Sequence, residues 1–217
     1  MDLKDKKINF LGDSITEGVG TSSPERIYLN LLKEKVGLAE ARNYGISATR
    51  YADFEGSDPY CNAASFSQRF AQMDDDADIV VVFGATNDFG HGNAPFGTFE
   101  DRTPGTFYGA CHYLYSGLIR KYLGKQIVIM TPLHRCNELS KRGDVKKQDV
   151  GILKDYVDII REVAEYYSLP VLDLFSTSGL QPAIKEIQET YIPDGLHPND
   201  AGHQVIAQKL EAFLKNL

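Results

Sequence analysis

Short apolar runs alternate along the chain with longer segments in which apolar side chains recur every three or four positions. No other feature limits the fold so strongly, because strands separated by helix-length segments pair side by side in parallel and need helices to cover their faces. The strands are expected at residues 8–11, 41–44, 78–83, 126–130 and 170–174. The third, with Ile79, Val80, Val81, Val82 and Phe83 unbroken by a polar residue, reads as a strand buried on both faces. Helices are expected over 25–36, with Ile27, Leu31 and Leu32 on one face, and over 106–123 and 148–167. A last helix is expected to begin at Pro198, a favoured first helical position, and to turn Ala201, Val205, Leu210, Phe213 and Leu214 inward. With 217 residues, no internal repeat and no low-complexity linker, one domain spanning 1–217 is the expectation. Two long connections remain, 89–105, rich in Gly and Pro, and 133–147, rich in charge, and connections this long are usually functional.

Charge and cysteine content exclude several classes of function. The formal charge is −7, with no long Lys/Arg cluster, which disfavours nucleic acid or an anionic membrane as the main partner and favours a small-molecule substrate. Asp74, Asp75 and Asp76 read as a solvated turn, and Lys141, Arg142, Lys146 and Lys147 as a solvated loop face. Cys61, Cys111 and Cys136 are odd in number and form no CxxC pair, so neither a disulfide framework nor a metal centre is called for. The longest apolar run falls far short of the roughly 20 residues that cross a bilayer. Residues 1–14 hold only a short apolar stretch where a secretory signal needs roughly 7 to 15, so a cytoplasmic location is expected.

The first strand runs into Gly12-Asp13-Ser14-Ile15-Thr16-Glu17-Gly18. This places a serine beyond the carboxyl end of a strand, the edge at which ligands bind in open α/β sheets. Ser14 is either a helix N-cap or a nucleophile whose surrounding N–H groups stabilise a developing negative charge. The segment lacks the Gly-Lys-Ser/Thr ending of a phosphate-binding loop. A serine nucleophile needs a base, usually a histidine oriented by a carboxylate. His197, in Asp194-Gly195-Leu196-His197-Pro198, lies in a loop with Asp194 three residues earlier and Gly195 between to ease a tight turn. On its own it is equally a surface or capping histidine.

Taken together, four blocks resemble the SGNH/GDSL hydrolase superfamily of serine esterases and acylhydrolases. They are Gly12 to Gly18, Asn43-Tyr44-Gly45-Ile46-Ser47, Thr86-Asn87-Asp88 and Asp194 to Pro198, and in this order they span nearly the whole chain. The resemblance implies a three-layer α/β/α, flavodoxin-like sandwich around a mostly parallel five-stranded sheet. It also implies that Ser14 attacks an acyl carbonyl, His197 moves the proton and Asp194 fixes the imidazole tautomer. The backbone N–H of Ser14, the backbone N–H of Gly45 and the side-chain amide of Asn87 would hold the oxyanion. No cofactor is implied. The chain departs from the pattern once, with Ala85 where relatives carry a glycine two residues before the asparagine.

Asp13, Arg50, Tyr51, His91 and His134 are further candidates for substrate binding at the mouth of the site. His112 reads as a core or helix-surface histidine and His203 as a surface one. The expected activity is hydrolysis of a short acyl ester, most plausibly acetyl, of a hydrophilic alcohol such as a carbohydrate. The alternatives are a lysophospholipase or acyl-thioesterase of the same superfamily and a non-catalytic flavodoxin-like binding domain.

Overall fold

Five strands line up in the order β2-β1-β3-β4-β5, and every neighbouring pair is parallel. They are β1 (Lys7–Gly12), β2 (Glu40–Gly45), β3 (Ile79–Phe83), β4 (Gln126–Met130) and β5 (Val171–Leu172). The computed structural model describes residues 1–57, 59–61 and 63–217. The helices are α1 (Ser14–Glu17), α2 (Tyr28–Val36), α3 (Phe66–Arg69), α4 (Thr86–Gly90), α5 (Phe107–Lys121), α6 (Leu153–Tyr166), α7 (Leu174–Thr177), α8 (Lys185–Tyr191) and α9 (Asp200–Lys215).

Alternation along each strand divides the core in two. Leu11, Val80, Val82, Ile127 and Ile129 face a layer built on α5 and α6, and Phe10, Ile79, Val81, Phe83, Val128 and Met130 face one built on α2 and α9. Helices therefore cover both faces, as an all-parallel sheet requires, and the α/β/α sandwich read from the sequence is the fold observed. Strand β1 lies between β2 and β3, with Gly12 opposite both Gly45 and Phe83. The segments that follow these three strand ends are consequently neighbours in space.

Four boundaries differ from expectation. Pro24–Arg26 forms a 3-10 turn, and Ile27 is extended, so α2 begins only at Tyr28. Residues 148–152 precede α6 because Val150 N–H and Gly151 N–H are tied to the Lys141 carbonyl; the Asp155 side chain accepts from Ile152 N–H at the true start. Strand β5 is cut short when Asp173 caps α7. Pro198 lies outside α9, which Asn199 caps by accepting from Ala201 and Gly202 N–H. Within α9, Ala201 is exposed, Val205 and Phe213 are half-buried, and Gly202, His203, Ile206, Ala207, Leu210 and Leu214 lie inside, so the face turned to the sheet is offset from the one expected. His203 is thus a core residue, accepting from Tyr28 N–H at 3.1 Å and stacked on the Tyr28 ring. Burial lowers its pKa to about 4. No helix among the described residues is long and apolar enough to cross a membrane.

Candidate active site

Strand β1 delivers Ser14 to the sheet edge, where Asp13 caps α1 by accepting from Ile15 N–H at 3.0 Å. Ser14 is therefore not the cap, and its hydroxyl is spared for another partner. That partner is His197: Ser14 Oγ lies 3.1 Å from His197 Nε2, and His197 Nδ1 lies 2.7 Å from Asp194 Oδ2. A carboxylate only accepts, so the network assigns the proton to Nδ1 and leaves Nε2 to accept from the Ser14 hydroxyl.

Local turns and one long-range tie bring these residues together. Gly195 has φ +80°, which lets the loop fold back so that Asp194 Oδ1 accepts from both Leu196 and His197 N–H, at 2.8 and 2.6 Å. The Cys136 N–H clamps the same loop through the Gly195 carbonyl at 2.7 Å. Ser22 donates its N–H and its hydroxyl to Asp200 at 2.8 and 2.6 Å, fastening the segment after α1 to the start of α9. Burial alone would raise the Asp194 carboxyl, but the His197 and Leu196 hydrogen bonds outweigh it and hold the pKa below the ordinary value.

The loop after β2 reaches the same edge. Ile46 N–H donates to the Gly12 carbonyl at 3.2 Å, and the Asn87 amide donates to the Thr49 carbonyl at 3.0 Å. Residues 46–49 therefore run between the serine and the asparagine. Asn87 keeps one amide hydrogen without an acceptor, and the N–H groups of Ser14 and Ala48 have no acceptor among the described residues.

A family model for the GDSL-like lipase/acylhydrolase family matches residues 10–205. The chain belongs to that family. Among solved structures, a protein from Lactobacillus plantarum is 29% identical, with a TM-score of 0.85 and coverage of 98% of each chain. A lipase/acylhydrolase from Enterococcus faecalis is 21% identical, covers 97% of this chain and 96% of its own, and has a TM-score of 0.65. A carbohydrate acetylesterase family member from Sinorhizobium meliloti is 18% identical, covers 97% and 98%, and has a TM-score of 0.66. At these identities the last two bear on the fold alone. No curated protein matches.

Within this GDSL-like hydrolase, Gly45 does not fill the place expected of it. Its N–H donates to Asn43 Oδ1 at 2.8 Å, while Asn43 Nδ2 donates to the Thr16 carbonyl at 2.8 Å. A Cβ at Gly45 would collide with the backbone of Thr16 and Glu17, so the glycine permits close packing of β2 on α1. The unengaged backbone donor is three residues on, at Ala48, whose φ of +62° is a conformation that glycine favours. An alanine carries no trace of that conformation in the sequence. Ala85 likewise adopts φ +82°, so it takes up the left-handed backbone that the usual glycine would supply.

The other candidates separate. Tyr51 is fully buried in the core between Phe66, Phe107 and Tyr115 and does not line the mouth. His134 pairs with Glu138 at 2.8 Å and packs on Phe175, and no bond links it to the triad. Arg50 Nη1 meets His91 Nδ1 at 3.1 Å, and His91 packs on Tyr60 with ring centroids 4.7 Å apart. Asp13 is 1% exposed and, beyond its cap, Oδ2 has no partner; burial raises its pKa to about 7.

Sequence reasoning missed two supporting residues. Arg69 reaches from α3 to donate to the Tyr44 and Gly12 carbonyls and to Thr49 Oγ1, binding together the ends of β1 and β2. Asp88 accepts from Tyr51 and Ala52 N–H at 2.9 and 3.0 Å, anchoring the loop just past Thr49. Only the position of Asp88 beside Asn87 was a signal; Arg69 lies in no motif.

Proposed function

We propose that the protein is a serine esterase that acts through an acyl-enzyme. The observation that carries this reading is the relay from Ser14 through His197 to Asp194, with spacings of 3.1 and 2.7 Å. Ser14 Oγ attacks the acyl carbonyl as its proton passes to His197 Nε2. The same proton then goes to the departing alcohol, and a water activated by His197 releases the acid. Asp194 steadies the charged imidazole. The oxyanion is held by the Ser14 N–H, the Ala48 N–H and the free amide hydrogen of Asn87.

The preferred substrate is a short acyl ester, most plausibly acetyl, of a hydrophilic alcohol such as a carbohydrate. The cleft just past Asn87 supports it, since Asn93, Lys146, Lys147 and Gln148 in its lining can hydrogen-bond a hydroxylated molecule. A second reading, a lysophospholipase or acyl-thioesterase, draws support from Val19 and Ile46. These are 40% and 39% exposed, and their N–H groups donate to the Ser14 and Gly12 carbonyls, so a longer acyl chain would find apolar surface there. A p-nitrophenyl ester series from C2 upward separates the two, since a peak at C8 or longer rejects the acetyl reading. Labelling with a serine-directed organophosphonate and mapping the adduct tests the enzyme reading itself. An adduct on Ser14 is expected, and a folded protein left unlabelled there would instead favour a binding domain.

A further inference from the structure

A cleft of about 630 Å³ opens among residues 54–57, 59–60, 91–93, 145–148 and 150, large enough for a small organic molecule and far larger than an acetyl group. It begins immediately past Asn87, whose carbonyl accepts from His91 and Gly92 N–H at 3.0 and 2.9 Å. Asn93 fixes one wall by donating to the Glu55 carbonyl at 3.1 Å and accepting its N–H at 3.4 Å. Tyr60, half exposed and packed on His91, offers a ring face of the kind that sugars stack on.

The opposite wall carries Lys146 and Lys147. Lys146 is half-buried, its Nζ donates to the Tyr156 hydroxyl at 2.5 Å, and no carboxylate pairs with it among the described residues. The nearby Asp144 is engaged instead by Arg135 at 2.7 Å. Burial lowers the Lys146 pKa to about 8 even with Asp88 and Asp144 opposing, as expected of a cation short of a counter-charge. Lys147 is exposed and likewise has no ion pair among the described residues. Glu55, exposed on the far wall, is the carboxylate that lines the cleft among the described residues. In a chain of formal charge −7, two ammonium groups with no carboxylate partner among the described residues, on one wall of a cleft that opens past Asn87, are a local reversal of sign.

We propose that this cleft seats the alcohol half of the ester, and that the alcohol is a hydroxylated molecule bearing an anionic group, phosphate or carboxylate, that pairs with Lys146 and Lys147. The inference rests on the esterase reading above and adds the charge of the leaving group. To test it, kcat/KM is measured for an O-acetylated hexose, the same sugar as its phosphate, and the corresponding O-acetylated hexuronate, with p-nitrophenyl acetate as the reporter of esterase activity. The wild-type protein should prefer one charged ester over the neutral one by about tenfold or more, and which of the two it prefers identifies the anion. That preference should shrink toward parity in a Lys146→Gln/Lys147→Gln variant, and in wild type as NaCl rises from about 0.05 to 0.5 M. The salt series decides the matter if the variant does not fold. Cleavage of p-nitrophenyl acetate without a charged preference, a preference that salt does not reduce, or one that survives in a folded double variant overturns this inference alone. Failure to cleave any of the four esters overturns the esterase reading, and this inference with it.

Discussion

Ser14 and Asp194 stand at opposite ends of one hydrogen-bonded relay and are held in place by different means. Ser14 is 6% exposed and sits above a buried lattice in which Arg69 joins Gly12, Tyr44 and Thr49, while Asn87 joins the same loop. The Asp194 side chain is 54% exposed and is fixed by contacts within its own turn and by the clamp from Cys136. The proposed nucleophile and its neighbouring donors are thus parts of the sheet edge, whereas Asp194 and His197 ride on a loop. Damage on the Asp194 side should cost activity while sparing the fold, and damage on the Ser14 side should cost both.

The largest effect is expected from Asp194→Asn. It keeps the turn but removes the acceptor that fixes the His197 tautomer, and should lower kcat by about 10³- to 10⁴-fold. The urea midpoint should stay near wild type, because surface substitutions usually change stability by less than about 0.5 kcal/mol. A large loss of stability would break the contrast. Next is Asn87→Ala, which removes one proposed oxyanion donor and should reduce kcat by about 10²- to 10³-fold with little change in KM. An effect confined to KM would place Asn87 in ground-state binding instead.

Arg69→Met probes the lattice. Two strand-end carbonyls and the Thr49 hydroxyl each lose one donor, and stability should fall by about 2–3 kcal/mol in urea unfolding, with a smaller loss of kcat. An Arg69→Met protein as stable as wild type would show that the sheet edge does not depend on this guanidinium.

The last effect is a pH dependence of stability. Folding raises the Asp13 carboxyl from an ordinary value of 3.8 to about 7 because burial penalises its charge. The neutral acid is therefore favoured on folding: its contribution is complete below about pH 4 and is lost as the pH rises through 7. Asp13→Asn stays neutral and can still cap Ile15, so it should gain in stability relative to wild type between pH 4 and 8. The gain is at most about 4 kcal/mol for a shift of this size. Parallel stability curves for the two proteins would assign the burial of Asp13 no energetic consequence.

Much of this was legible without coordinates. The alternation of apolar runs with helical periods placed all five strands and the two-sided helical cover, since burial on both faces leaves β3 no polar position. Boundaries were less legible, because hydrogen bonds from distant residues set them. The start of α6 depends on the Lys141 carbonyl, and the start of α9 on the cap that Asn199 supplies. His203 read as a surface residue because its partner, Tyr28, lies far away in sequence.

The sequence by itself determined the architecture, because the periodicity of apolar residues is a local property that no packing is needed to reveal, and its resemblance to the GDSL-like family pointed to Ser14, Asn87, Asp194 and His197. Tertiary structure alone decided that Gly45 N–H is already engaged while Ala48 N–H is not, that Tyr51 is core, and that Arg69 binds two strand ends together. Each of these depends on which groups from remote parts of the chain arrive at the same edge and use up one another's hydrogen bonds, and that accounting closes only when the sheet has formed.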